Sequence, residues 1–135
     1  MKTIYTLGYS NFTIDQISQI VKVTDSVLVD VRLRAWSRNP DYCKSRIMAV
    51  FGERYLHVPE FGNINYKDRS APQVINDFDG GLHRLSEINS NVILMCVCPT
   101  LTVCHRSILS YRMRQLGFDV TEIRHMSQVM QRHMF

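Results

Sequence analysis

A chain of 135 residues, 45% of them apolar, is sized for one domain with a substantial core, expected to span residues 1–135. No apolar run nears the ~20 residues of a membrane span, and the first residues lack a signal peptide's apolar region, which excludes membrane classes and points to the cytoplasm. The net charge of +4 is spread without a basic tail or aromatic-interleaved stripe, so a small anionic partner is expected and a polynucleotide is not.

Residues 3–7 read as a strand of β-branched and aromatic residues ended by Gly8. After the loop Tyr9-Ser10-Asn11, Thr13 and Gln16 make a capping box, and Ile14, Ile17, Ile20 and Val21 form the apolar stripe of a first helix. Residues 26–31, apolar but for Ser26 and Asp30, predict a central second strand. The loop over 32–40 is basic and aromatic, a segment suited to binding. A short helix over 42–51 stops before Gly52, and residues 54–58 read as a third strand.

A helix is predicted over 70–89, starting near Ala71-Pro72 because proline suits a first turn. Its Gly80-Gly81 pair weakens the middle, which suggests two pieces. Residues 92–97 then read as a strand buried on both faces, closed by Cys98-Pro99. From about Cys104 the pattern becomes helical, with Gly117 as the stop. A fifth strand over 119–123 and an amphipathic helix over 126–134 complete the series. Met126, Met130 and Met134 share one face of that helix, as core or as a homodimer contact.

Strands alternating with helices argue a single three-layer α/β domain: a mostly parallel, about five-stranded sheet with helices on both faces. Ligands of such sheets sit outside the carboxyl ends of the strands. Four polar clusters fall at those ends: residues 8–11, residues 30–32, His57 with Glu60 and Gly62, and residues 98–106. A loop leading into a helix start offers backbone N–H groups and a positive dipole end to an anion. Cations are disfavoured at that end, so His105 and Arg106 are easiest to understand if an anion shares the site.

The ligand-binding candidates are therefore Tyr9, Ser10 and Asn11, then Arg32, Trp36 and Arg38, and in the last loop Cys98, Thr100, Thr102, Cys104, His105 and Arg106. Each has a plainer reading. Asp30 and Arg32 share a strand face and could form a structural ion pair or meet ligand. Trp36, the single tryptophan, could cover the core or stack on a nucleobase. The four cysteines are expected as thiols, buried and inert, or with Cys98 or Cys104 as a nucleophile. Cys98 to Arg106 is two residues longer than the cysteine–five–arginine spacing of phosphatases. A metal site could recruit Cys96, Cys98, Cys104 and His105, but paired C-x-x-C knuckles are missing, so neither metal nor other cofactor is expected.

Four blocks in order, Thr6-Leu-Gly-Tyr-Ser-Asn11, Leu28-Val-Asp-Val-Arg32, Tyr55-Leu-His-Val-Pro-Glu-Phe-Gly62, and Cys96 followed by Cys104-His-Arg106, resemble the "domain of unknown function 488" family. The resemblance implies a small three-layer α/β domain and leaves the biochemistry open. The chain departs from that family at Tyr9, where histidine is usual, and after Arg32, where a proline is common. It departs again at Cys98, where an acidic residue is usual; if that acid serves catalysis in relatives, this chain has lost or altered the activity.

The expected function is capture of a small phosphate-bearing ligand, a nucleotide or nucleotide-derived signal. Sequestration of this kind would suit a small viral or mobile-element protein. The alternative is a hydrolase or transferase on a nucleotide-like substrate, with a cysteine nucleophile (Cys98 or Cys104) or with Asp30 and Glu60 as acid–base groups.

Overall fold

The computed structural model describes residues 2–97 and 104–133, the side chains of 131–133 excepted. Five strands, β1 (Thr3–Gly8), β2 (Ser26–Asp30), β3 (Tyr55–His57), β4 (Asn91–Cys96) and β5 (Asp119–Glu122), form one sheet in the order β3-β2-β4-β1-β5. Every pairing is parallel. Val92, Ile93, Leu94 and Met95 are wholly buried, as expected of a strand paired on both edges and covered on both faces. Each such side chain contributes about 1.5–3 kcal/mol by leaving water.

The helices are α1 (Ile14–Thr24), α2 (Lys44–Phe51), α3 (Phe78–Ser86), α4 (Arg106–Gln115) and α5 (Met126–His133). One core cluster joins Ile17, Ile20 and Val21 of α1, Ile47 of α2 and Val129 of α5 to alternate residues of the sheet. The other joins Phe78 and Leu85 of α3 and Leu109 and Met113 of α4 to the opposite face. Helices therefore cover both faces, in three layers. The α1 capping box is present: Thr13 Oγ1 accepts from the Gln16 N–H, and Gln16 Oε1 accepts from the Thr13 N–H. Gly117 stops α4 beyond Leu116 with φ +92°. Met126 packs against the first core cluster, while Met134 of the expected methionine face lies outside the described residues.

The third helix departs from expectation. It begins at Phe78, with Asp77 as its cap, and Ala71-Pro72 lies outside it. The chain over 62–76 folds back on itself instead. Asn63 Oδ1 accepts from the N–H groups of Asn65 and Val74, Ile64 N–H bonds the Val74 carbonyl, and Asn65 Nδ2 bonds the Pro72 carbonyl. These side-chain bonds offer that segment a non-helical alternative. Gly80 and Gly81 consequently fall in the first turns of one short helix, not in the middle of a broken long one.

Candidate functional site

The parallel register brings Gly8, Asp30, His57, Cys96 and Glu122 to one edge of the sheet. β4 lies between β1 and β2 there. The chain leaves β1 and β2 for α1 and α2 on one face, and leaves β4 for α4 on the other. Connections diverge on both sides of the β4 terminus, the position at which open α/β sheets form a ligand crevice.

Asp30 stands at the centre of a buried network. The Arg32 side chain donates to it twice, Nε to Oδ1 at 2.8 Å and Nη2 to Oδ2 at 2.6 Å, and the Tyr55 hydroxyl donates to Oδ2 at 2.6 Å. Burial works against the Arg32 charge, but the hydrogen bond to Asp30 and its negative charge outweigh that and hold the guanidinium firmly protonated. Arg32 also lies 5.4 Å from the centroid of Tyr9, which stacks on Tyr42 at 4.0 Å. Of the two readings for Asp30 and Arg32, the structure forms the internal ion pair. His57 Nε2 meets the Arg32 carbonyl at 2.7 Å.

The loop that follows is pinned by three successive carbonyls. Ala35 O accepts from the Lys44 N–H at 3.0 Å, Trp36 O from Arg32 Nη1 at 3.3 Å, and Ser37 O from Cys43 Sγ at 3.3 Å. Held in this way, the Trp36 side chain is 64% exposed, and Arg34 and Arg38 flanking it are exposed. Trp36 does not cover the core. Ser10 and Asn11 are exposed at the neighbouring turn, with Ser10 Oγ donating to the Val97 carbonyl.

Arg106 is turned inward. It is wholly buried, with Nε donating to Cys96 Sγ at 3.0 Å and Nη1 to Glu122 Oε1 at 2.6 Å. Glu122 also accepts from Thr6 Oγ1 at 2.7 Å, so this pair ties α4 to β1 and β5. Sequence reasoning gave Arg106 an outward, anion-facing role and overlooked Glu122. The available signal was the alternation in β5, where Glu122 shares a face with buried Val120. Tyr42 and Tyr55 were missed as partners of the rim for a related reason: each reads as core until its neighbours are known.

His105 is buried, with Nε2 2.8 Å from the Val31 carbonyl and Nδ1 3.8 Å from Cys104 Sγ. Cys96 and Cys104 are both buried. Glu60 is half-buried and paired with Arg84 of α3 at 3.0 Å. Cys98, Thr100 and Thr102 lie outside the described residues. A shallow depression of about 360 Å³ lined by Leu82, Leu85, Ile88 and Phe118 includes Lys2, next to the amino end of β1 and so away from the rim. Its lysine is already bonded to the Leu85 and Ile88 carbonyls. Among the described residues no helix is long and apolar enough to cross a membrane.

No curated protein and no solved structure matches the chain. A family model does match over residues 14–113, a span that includes Asp30, Arg32, Cys96, His105 and Arg106. With most of its length covered, the chain belongs to the family described as domain of unknown function DUF488.

Proposed function

We propose that the carboxyl-end rim captures a small phosphate-bearing ligand, a nucleotide or nucleotide derivative, and holds it without chemical change. The observation that carries this reading is Trp36. A large flat side chain is left in solvent on a loop whose backbone is pinned at three consecutive carbonyls, with exposed Arg34 and Arg38 on either side. An indole face accepts a base, and guanidinium groups accept phosphate oxygens in paired hydrogen bonds. Because the loop is already ordered, little entropy is lost when ligand arrives.

Capture is favoured over turnover by the state of the candidate reactive groups among the described residues, Cys98 lying outside them. Asp30 and Glu60 are each held by an arginine, and the Cys104 thiol is enclosed. Sequestration of a signal needs only the binding step.

The single tryptophan makes the test direct. Titration with a panel of mono-, di- and cyclic nucleotides should quench its fluorescence, and calorimetry should give a matching affinity. Trp36→Ala should weaken binding by about 1–3 kcal/mol, the worth of one stacked base, and Arg38→Ala should weaken it further. Stability should move by no more than about 0.5 kcal/mol, as for other exposed positions. Absence of quenching and of heat with every nucleotide would overturn the reading. Recovery of an altered nucleotide after denaturation would replace capture by catalysis.

A further inference from the structure

We propose that Cys96, Cys104 and His105 form a three-ligand site for a thiophilic divalent cation of the zinc class. The inference is independent of the nucleotide reading, because it rests on groups beneath the rim and not on the Trp36 loop. The end of β4 supplies Cys96, and the turn into α4 supplies Cys104 and His105. One ligand atom from each lies within 4.8 Å of the other two, and all three residues are buried.

The spacing suits the chemistry. Zinc bonds of about 2.3 Å to sulfur and 2.0–2.1 Å to imidazole nitrogen put tetrahedral ligand atoms roughly 3.5–3.8 Å apart. Cys104 Sγ and His105 Nδ1 are already 3.8 Å apart. The third ligand atom needs at most a small side-chain adjustment, since all three lie within 4.8 Å of one another.

The imidazole is in the required tautomer. The Val31 carbonyl can only accept, so His105 Nε2, 2.8 Å away, carries the proton. Nδ1 is left with its lone pair toward the sulfur. A histidine whose distal N–H is fixed by a backbone carbonyl is the usual second contact of a metal-bound imidazole.

Charge also balances. Binding displaces the two thiol protons, so a dication with two thiolates and a neutral imidazole has no net charge, which suits a buried centre. Arg106 is close by, but Glu122 at 2.6 Å offsets its charge. Its Nε–H donates to Cys96 Sγ, a contact that stabilises a thiolate ligand. Three donors are found among the described residues, the number used by open zinc centres, in which water or another ligand takes the fourth position.

The full chain, purified under reducing conditions and freed of metal, should take up one equivalent of zinc or cobalt. The cobalt form should show thiolate-to-metal charge-transfer absorption. X-ray absorption of the zinc form should show at least two sulfur neighbours and one imidazole. Zinc should raise the thermal midpoint, and a chelator should lower it. Cys104→Ser and His105→Asn should each abolish stoichiometric uptake, while Cys43→Ser keeps it. Folded wild-type protein that takes up no metal would overturn the proposal, as would a zinc shell lacking sulfur or imidazole. Should the buried variants fail to fold, the wild-type absorption spectrum decides alone.

Discussion

Arg32 spans both carboxylate oxygens of Asp30, with Nε 2.8 Å from one and Nη2 2.6 Å from the other, and both side chains are almost fully buried. The same guanidinium reaches the Trp36 carbonyl, so the ion pair connects the end of β2 to the exposed loop. Removing one partner leaves a buried charge without its counterion. Asp30→Asn should therefore lower the unfolding free energy by about 3–5 kcal/mol. Tyr55→Phe removes one hydrogen bond to a charged group and should cost about 1.5–3 kcal/mol. Urea denaturation followed by circular dichroism measures both. A loss of about 1 kcal/mol or less for Asp30→Asn, the range of a surface pair, would contradict the network.

What could be read beforehand was what is local or periodic. The Thr13–Gln16 box needs only three residues of separation, and the apolar run of β4 declares its burial without reference to partners. The meeting of strand ends at one rim follows from parallel order alone. Arg106 was misread because its direction depends on Glu122, 16 residues away on a strand that pairs with β1. Helix-start electrostatics suggested an external anion, whereas β5 supplies an internal one. The start of α3 was misplaced for the opposite reason: Pro72 obeys a local rule, but Asn63 holds that segment through bonds reaching to Val74. Cys96, Cys104 and His105 could be named beforehand among possible metal donors, but a seven-residue gap between the cysteines does not specify that their ligand atoms come together.

Alkaline pH should destabilise the fold through its buried tyrosines. Burial first, and then the negative charges of Asp41 and Tyr9, push the Tyr42 hydroxyl up to about 12 from its ordinary 10.0. Tyr55 is raised in the same direction by burial and by Asp30. The folded form keeps these protons after the unfolded chain has begun to release them. Between pH of about 10 and 12 the unfolded state binds fewer protons, so stability falls as pH rises. The stabilisation is fully present below about 10, the ordinary tyrosine value. Denaturant midpoints measured across that window should fall, and Tyr42→Phe should make the fall shallower. A flat profile in the wild type would refute the prediction.

Two close approaches to glycine should separate stability from site geometry. A Cβ on Gly81 would stand 2.3 Å from Cε1 of Phe61, a ring that is wholly buried and packed beside Phe78. A Cβ on Gly62 would stand 2.6 Å from the Leu33 Cα and 2.7 Å from its nitrogen. Crowding of either kind should cost about 1–3 kcal/mol. The direction of relief differs. At Gly81 the neighbour is the Phe61 ring, a side chain that packs beside Phe78 of α3 and is not backbone of the Trp36 loop. At Gly62 the neighbour is backbone, one residue from Arg32 and three from Trp36, so the loop itself must shift. Gly62→Ala should therefore change Trp36 emission and weaken nucleotide binding, while Gly81→Ala lowers stability and leaves emission unchanged. Identical emission from the two folded variants would show that the contact of Gly62 with Leu33 does not set the position of the loop.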